Sequence, residues 1–251
     1  MSEQSADILG TRIDVITWEQ VRSRIIQWAN EGSSRVVCAC NVHSLVTAKT
    51  DAELHAAITS ADIRTPDGAP LAWLMRKSGW PEQQRISGPD LMWYLLGEAQ
   101  RSSIPVFLLG STHSTLNNLS SQLRTAFPQL ILAGTASPPF RPMNQTEQND
   151  LIDLISTSGA RLVFVGLGCP KQEKWMASHR GRLPVVMVGV GAAFDYHAGT
   201  LPRAPTSWQY LGLEWLYRLA MEPTRLCRRY LVTNTQFLLS LPSQLWKRTG
   251  L

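Results

Sequence analysis

Several features of membrane and secreted proteins are missing from this chain of 251 residues. No run of about 18 consecutive apolar residues occurs, so the sequence predicts no helix that spans a bilayer. The first residues are polar and lack the basic stretch and apolar core of a signal peptide, so none is expected. Charged residues make up only 17% of the chain and hydrophobic residues 44%, which indicates a globular protein of one large α/β domain or two small ones.

The four cysteines lack the spacing of a metal site or a redox motif. Cys38, Cys40, Cys169 and Cys227 include no CxxC pair, and most of them stand in apolar, strand-like surroundings. Such a pattern is typical of free core thiols in a reducing compartment, so the sequence favours a cytoplasmic protein.

The motifs of several enzyme classes are also missing. The histidines have no metal spacing, and no DxD motif is present that would hold a metal on a nucleotide diphosphate. The P-loop motif and the GxSxG nucleophile motif do not occur, and no glycine cluster completes the GxGxxG dinucleotide fingerprint. We therefore expect no essential metal and no cofactor.

Short apolar segments instead alternate with segments of helical spacing. This alternation predicts an α/β fold with a largely parallel sheet, helices on both of its faces, and a helical appendage at the carboxyl end. The predicted strands are 12–17, 35–40, 62–65, 104–109, 130–133, 163–166 and 185–189. The predicted helices are 18–30, 43–59, 71–77, 89–100, 115–127, 146–158, 171–179, 207–221 and 223–239.

Two successive strand ends are punctuated by glycines, in segments 163–175 and 185–195. Each segment is typical of a buried strand that breaks into a tight turn before a helix. Such a junction presents free backbone N–H groups and the positive end of a helix at the carboxyl edge of a sheet. The two junctions together favour a crevice for a nucleotide or a sugar nucleotide. The binding residues predicted there are Gly166, Gly168, Gly189, Gly191 and Asp195.

Three polar residues outside these junctions are candidates for chemistry, and each has a structural alternative. Asp67 ends a short strand and can accept a proton in a crevice, but Pro-Asp-Gly is also a common turn. Arg85 can bind the oxygens of a diphosphate, or it can be a solvated loop arginine. Asn41 can hydrogen-bond to a sugar hydroxyl, or it can cap the next helix.

The basic charge of the chain is concentrated in its last part. Residues 1–199 carry 17 basic and 17 acidic residues, whereas residues 200–251 carry seven basic and two acidic ones. Aromatic residues stand among these arginines, which suits a membrane surface, a diphosphate or nucleic acid as the anionic partner. The alternative is an ordinary pair of packed helices with solvated arginines. The arginines considered for lipid or diphosphate binding are Arg203, Arg218, Arg225, Arg228 and Arg229.

Eight short motifs follow one another in a set order along most of the chain. They are PDG at 66–68, RISGPDL at 85–91, VGLGCPKQEKW at 165–175, GVGAAFD at 189–195, RAP at 203–205, GLEWLYRL at 212–219, EP at 222–223 and RRY at 228–230. Their order and spacing, from about residue 13 to residue 230, resemble the WecG/TagA/CpsF family of bacterial glycosyltransferases.

The resemblance implies a Rossmann-like catalytic domain at 1–199 and a membrane-associated appendage at 200–251. It implies an inverting, metal-independent transfer of a hexose from a nucleotide sugar, with a UDP-sugar favoured. The implied acceptor is a sugar linked to polyprenyl diphosphate, used in the biosynthesis of cell-surface polysaccharides. An enzyme of this kind would work as a peripheral protein on the inner face of the cell membrane. Its implied partners are the two substrates and the anionic membrane surface, not nucleic acid, and self-association into a homo-oligomer stays open.

The resemblance also implies roles for single residues. The catalytic aspartate of the family falls on Asp67, as base for the acceptor hydroxyl, and its arginine near the donor diphosphate falls on Arg85. Its polar residues at strand ends fall on Asn41 and Gln172. One departure is Ala39, which stands where a threonine is common, so the donor sugar stays open among N-acetylmannosamine, N-acetylmannosaminuronic acid, glucose and other hexoses.

Two other functions remain as alternatives at the level of the sequence. The alternating strands and helices are shared with NAD(P)-dependent oxidoreductases, although the incomplete glycine fingerprints argue against this class. The basic tail is also compatible with a non-catalytic module that binds anionic membranes or nucleic acid.

Overall fold

A computed structural model describes residues 4–246, which form a six-stranded parallel sheet with helices on both faces and a separate two-stranded antiparallel hairpin. The strands are β1 (Ser5–Ile8), β2 (Thr11–Asp14), β3 (Arg35–Cys40), β4 (Ile63–Pro66), β5 (Val106–Gly110), β6 (Leu132–Ala136), β7 (Leu162–Gly166) and β8 (Val186–Gly189). The helices are α1 (Trp18–Glu31), α2 (Val42–Ala48), α3 (Ala52–Ser60), α4 (Ala69–Lys77), α5 (Gly88–Arg101), α6 (His113–Ala126), α7 (Gln145–Thr157), α8 (Lys171–His179), α9 (Ala193–His197), α10 (Thr206–Tyr210), α11 (Glu214–Met221) and α12 (Pro223–Trp246). The predicted α/β fold is confirmed.

The strand order in the large sheet is β4-β3-β8-β7-β5-β6. The chain fills one edge with β3 and β4, crosses to the other side with β5 and β6, and then completes the centre with β7 and β8. Because all six strands run in the same direction, their carboxyl ends meet at one edge, and the chain reverses its strand order near the centre of that edge. Ligands of open α/β sheets bind in the crevice at such a point.

The central strands are buried on both faces, which explains their nearly continuous apolar sequences. Along β7, Val163 and Val165 belong to one core cluster, whereas Leu162 and Phe164 belong to the other. Each cluster lies between the sheet and one layer of helices, so the alternation along the strand supplies both sides of the core.

Two predictions for the first quarter of the chain are wrong in detail. The predicted strand 12–17 ends at Asp14, and it pairs with β1, which the sequence did not reveal. Thr17 instead begins α1, because its side-chain oxygen accepts a hydrogen bond from the backbone N–H of Gln20 at 3.2 Å. The predicted helix 43–59 is two helices, since the Asp51 side chain caps a new helix by accepting from the N–H of Leu54 at 3.0 Å.

The C-terminal segment also differs from its prediction. The predicted helix 207–221 is divided into α10 and α11 around Gly212, whose φ of +72° favours glycine. The last helix continues beyond 239 to Trp246. Helix α12 packs against α2, and Phe237 of α12 belongs to one of the two core clusters of the sheet. Within residues 4–246, no helix has the length and apolar character that would let it cross a membrane.

Candidate active site

A cavity of about 970 Å³ lies at the carboxyl edge of the sheet, between the strand ends and the C-terminal helices. Loops that follow β3, β4, β5, β7 and β8 line one side, and residues of α11 and α12 line the other. Most of the sequence-predicted residues meet here, although they are up to 188 positions apart in the chain. The predicted site residues that line it are Asn41, Asp67, Arg85, Gly166, Gly168, Gln172, Gly189, Gly191, Asp195, Arg218, Arg225 and Arg229.

Asp67 directly follows β4 and borders the cavity. Its backbone N–H donates to the carbonyl oxygen of Cys40 at 2.7 Å, which extends the pairing of β4 with β3 by one residue. The next helix begins at Gly68 without a side-chain cap, so the Asp67 carboxyl does not serve as the cap of α4. Burial raises the pKa of Asp67 to about 6, with a further increase from Glu214 that Arg85 opposes. A carboxyl group with this pKa can accept a proton near neutral pH.

Asn41 combines two roles that the sequence left as alternatives. Its side-chain oxygen accepts a hydrogen bond from the N–H of Ser44 at 3.1 Å and thereby caps α2. Its side chain also hydrogen-bonds to Asp67, which lowers the pKa of that carboxyl. The cap fixes the orientation of the amide, so Asn41 positions the Asp67 carboxyl in the cavity.

Arg85 is held in place and is not a solvated loop arginine. The segment around it runs beside β4, where the N–H of Ile86 donates to the carbonyl of Pro66 at 3.1 Å. The guanidinium Nη2 of Arg85 lies 2.5 Å from Oε2 of Glu214, whereas its buried Nε has no hydrogen-bond partner among residues 4–246. Because Arg85 also lines the cavity and 22% of its side-chain surface is exposed, the remaining N–H groups can bind a ligand oxygen.

The two glycine junctions are joined by Gln172. Its side-chain oxygen accepts a hydrogen bond from the N–H of Gly191 at 3.1 Å, and its Nε2 donates to Oε1 of Glu173 at 2.8 Å. A Cβ at Gly189 would lie 2.7 Å from the methyl carbon of Met176, so the end of this methionine of α8 would have to shift to admit a side chain on β8.

Glu173 is a residue that sequence reasoning missed. It is only 2% exposed, it is one of the residues that line the cavity, and its Oε2 has no hydrogen-bond partner in the described part of the chain. Burial raises its pKa, whereas the bond from Gln172 lowers it. The only signal in the sequence was its position next to Gln172 in the first turn of a helix that follows a glycine junction.

Asp195 lies on α9, at the end of the cavity near β5. Its carboxylate accepts a hydrogen bond from the hydroxyl of Ser111 at 3.3 Å. Burial raises the pKa of Asp195, while this bond and the charges of Arg225 and Arg218 lower it. The carboxylate is therefore placed to accept hydrogen bonds from hydroxyl groups of a ligand.

The C-terminal helices bring positive charge to the cavity. Arg218 lies over the ring of Tyr196, with 5.8 Å from the guanidinium carbon to the ring centre. The buried Nε of Arg229 has no hydrogen-bond partner within residues 4–246, and Nε of Arg218 has only a long ion pair with Glu222, at 3.6 Å. Burial lowers the pKa of Arg229, and the neighbouring charge of Arg218 lowers it further. Arginines that repel one another at close range are stabilised by an anionic ligand between them.

Two of the predicted arginines lie outside the cavity. Arg203 pairs with Asp90 of α5, at 2.6 Å between Nη1 and Oδ1, and its Nε lies 3.7 Å from Glu214. Arg228 is exposed on α12. Arg203 is thus a neighbour of the site through Glu214 and not one of the groups that line it.

Aromatic residues that the sequence analysis did not assign to the site also line the cavity. Trp73 of α4 and Trp215 of α11 are 39% and 38% exposed, and Phe237 lies deeper on α12. Among the described residues, no group of three or more His, Cys, Asp or Glu side chains could hold a metal ion.

The chain matches the family model described as "Glycosyl transferase WecG/TagA/CpsF family" over residues 6–250. The match covers nearly the whole chain, including the parallel sheet, the cavity residues and the C-terminal helices. The protein therefore belongs to this glycosyltransferase family, as the order of its motifs predicted. Membership sets aside an oxidoreductase and a non-catalytic module as its main function.

Proposed function

We propose that this glycosyltransferase moves a hexose from a UDP-sugar to a sugar linked to polyprenyl diphosphate, with inversion of the anomeric carbon and without a metal. The observation that carries the proposal is the position of Asp67. Its carboxyl group, with a pKa of about 6, lies in the same cavity as four arginines. Transfer from a nucleoside diphosphate needs these two elements, a base for the acceptor and positive charge for the leaving group.

Asp67 acts as the base in a single displacement. Its ionised carboxylate takes the proton of the acceptor hydroxyl while that oxygen forms a bond to the anomeric carbon. The bond from this carbon to the diphosphate breaks on the opposite side, and its electron pair leaves with the nucleoside diphosphate. Asn41 supports this step because its hydrogen bond orients the carboxylate.

The arginines of the cavity stabilise the departing diphosphate. Arg85, Arg218 and Arg229 all line the cavity and are half-buried there. A guanidinium group can bind a phosphate group through two parallel N–H···O hydrogen bonds, and it keeps its positive charge during the reaction. The N–H groups of the loop at Gly166–Gly168 can add further donors, whereas the N–H groups of Val190 and Gly191 are already paired with Val165 and Gln172. These groups supply the charge stabilisation for which other transferases use a divalent cation.

The donor nucleoside fits the part of the cavity near β5. Asp195 and Ser111 form a hydrogen-bonded pair there, and the carboxylate can accept from the hydroxyls of a ribose. The hexose then lies between this pair and Asp67. Ala39 also lines the cavity, and its small apolar side chain leaves the identity of the hexose open.

The C-terminal helices would place the enzyme at an anionic membrane, where a polyprenyl acceptor resides. Helix α12 exposes apolar side chains next to Arg228, and α11 adds others. An apolar helix face that enters the lipid headgroups, together with about 1 kcal/mol per arginine near anionic lipid, favours surface binding. The large exposed apolar residues in this region are Trp208, Leu211, Trp215, Leu216, Met221, Leu231, Val232, Leu238 and Leu239.

The proposal is tested by release of nucleoside diphosphate from a panel of UDP- and GDP-sugars. The reaction contains a short-chain polyprenyl-diphosphate GlcNAc or glucose acceptor and EDTA. We expect acceptor-dependent release from one donor, with an inverted anomeric centre in the product as determined by NMR. Retention of configuration, or activity that is lost in EDTA and restored by magnesium, would contradict the mechanism.

The role of Asp67 is tested in the same assay. Asp67→Asn removes the base and should lower kcat by roughly 10²- to 10⁴-fold. The matched control is Asp153→Asn, because Asp153 is exposed on α7 and does not line the cavity. In the wild type, turnover should fall as the pH drops below about 6, where the Asp67 carboxyl becomes protonated. Equal rates for the two variants would rule out Asp67 as the base.

A further inference from the structure

One carboxylate of the C-terminal helices reaches the centre of the cavity. Glu214, the first residue of α11, pairs with Arg85 at 2.5 Å between Oε2 and Nη2. Both side chains are largely withdrawn from water, with 18% and 22% of their surface exposed. Burial of two charges is unfavourable unless they are well paired, so loss of either partner would leave an uncompensated buried charge.

The same carboxylate is held from its other side. Oε1 of Glu214 lies 3.7 Å from Nε of Arg203, and Arg203 in turn pairs with Asp90 at 2.6 Å. Asp90 accepts a hydrogen bond at 2.5 Å from the hydroxyl of Ser87, which is also the N-cap of α5. A series of side chains with alternating charge thus leads from Asp90, near the start of α5, to the cavity. Its last member is Arg85.

We propose that Glu214 is a positioning residue for the transfer: it fixes the guanidinium of Arg85 beside Asp67, so that docking of α11 assembles the catalytic pair. This inference rests on the proposed function of the two residues. With Nη2 held by Glu214, the guanidinium is fixed where Arg85 lines the cavity, and its remaining N–H groups can meet a phosphate oxygen there. A guanidinium that could rotate would lose this orientation, since the side chain has several freely rotating bonds.

The charge of Glu214 has a second effect on the base. Burial of Asp67 raises its pKa most, Arg85 lowers it, Glu214 and Asp90 raise it, and the bond from Asn41 lowers it. The Asp67 carboxyl also interacts electrostatically with two other groups of the cavity, Arg218 and Tyr196. Without the carboxylate at 214, only burial and Asp90 would oppose the effect of the positive charge of Arg85 on Asp67. The pKa of Asp67 would then fall, and Asp67 would become a weaker base.

The test compares Glu214→Gln with the wild type in the full-length protein. Glutamine keeps the size of the side chain but removes its charge. We expect kcat to fall roughly 10- to 100-fold and the acid limb of the pH–rate profile to move to lower pH. The matched control is Glu19→Gln, which removes the carboxylate of an exposed ion pair with Arg22 on α1 and should leave both quantities unchanged.

A second readout does not depend on turnover. The Asp67 carboxyl carbon is titrated by ¹³C NMR, with its signal assigned by its disappearance in Asp67→Asn. We expect the Asp67 pKa to be lower in Glu214→Gln than in the wild type. This titration tests the inference even if no donor of the panel is a substrate, so failure of the proposed function and failure of the inference are distinguishable.

Three results would overturn the inference. One is an unchanged Asp67 titration in a folded Glu214→Gln protein, even if turnover falls, because a purely structural role would give that combination. The second is unchanged turnover in an active enzyme. The third is increased turnover, which would make Glu214 a competitor of the diphosphate for Arg85. If Glu214→Gln does not fold, Arg203→Gln loosens the same carboxylate and should lower kcat by a smaller factor. Because this variant removes a positive charge and leaves the negative charge of Glu214 in place, the Asp67 pKa should rise or stay the same rather than fall.

Discussion

The side-chain oxygen of Gln172 accepts a hydrogen bond from the backbone N–H of Gly191 at 3.1 Å. This bond connects α8, which follows the first glycine junction, to the loop of the second junction. The two loops that line the cavity therefore do not move independently, and Glu173 holds the other end of the same amide at 2.8 Å. Gln172 therefore holds the two loops of the site together, and it is also a candidate for contact with the substrate.

Replacement of Gln172 should affect substrate binding more than the stability of the fold. Gln172→Leu removes both hydrogen bonds and leaves the N–H of Gly191 without its partner, at a cost of about 1–3 kcal/mol in unfolding free energy. We expect KM for the donor to rise because the loop loses its fixed position. Steady-state kinetics with Gln27→Leu as control check this, since Gln27 is exposed on α1. A donor KM equal to that of the control would show that Gln172 is not needed to hold the Gly191 loop in position.

Asp67 should also make the stability of the protein depend on pH in an unusual direction. Its pKa is raised by burial to about 6 from an ordinary value of 3.8, so the folded state binds the proton more tightly than the unfolded state does. The stabilisation from this group is present below pH 3.8 and is lost as the pH rises through about 6. Asp67→Asn should therefore gain stability over the wild type as the pH increases across this range.

Urea unfolding at several pH values measures this difference directly. The quantity to compare is the difference in unfolding free energy between Asp67→Asn and the wild type, and how it changes with pH. The other titrating groups are common to both proteins and cancel in this difference. A gap that is constant from pH 4 to 7 would show that the pKa of Asp67 is not raised by folding.

A side chain at Gly189 should cost some stability. In Gly189→Ala the new Cβ would lie 2.7 Å from the methyl carbon of Met176 and 3.2 Å from Nε2 of Gln172, and the ends of these two side chains would have to shift, so we expect a loss of about 1 kcal/mol in stability. Gly97→Ala is the matched control: its Cβ would be in ordinary contact at 3.6 Å with Phe127, within a helix that alanine favours. Thermal unfolding should show a lower Tm for the first variant and an equal or higher Tm for the second.

The exposed apolar face of α12 should be needed for binding to lipid. Leu239 is 76% exposed, so Leu239→Asp should leave the fold intact and weaken co-sedimentation with vesicles that contain anionic lipid. Leu154→Asp is the control, because Leu154 is an exposed leucine on α7. Equal co-sedimentation of the two variants at low salt would contradict membrane association through α12.

The sequence by itself determined the class of the fold, because the alternation of apolar strands and amphipathic helices permits few other arrangements. It also determined the glycine junctions, since a turn that follows a buried strand has a local signature. The order of the motifs was enough to predict the family, which the match over residues 6–250 confirms.

The tertiary structure alone decided how distant charges meet. Local sequence left Arg85 either as a diphosphate ligand or as a solvated loop arginine and placed Glu214 inside a predicted helix at 207–221. The two residues are 129 positions apart in the chain, so their contact had no local signal. Local sequence likewise showed Asp67 as a turn residue, whereas burial among Arg85, Glu214 and Asn41 raises the pKa of this carboxyl to about 6. Electrostatic effects depend on distance and on exclusion from water, and neither is encoded by neighbours along the chain.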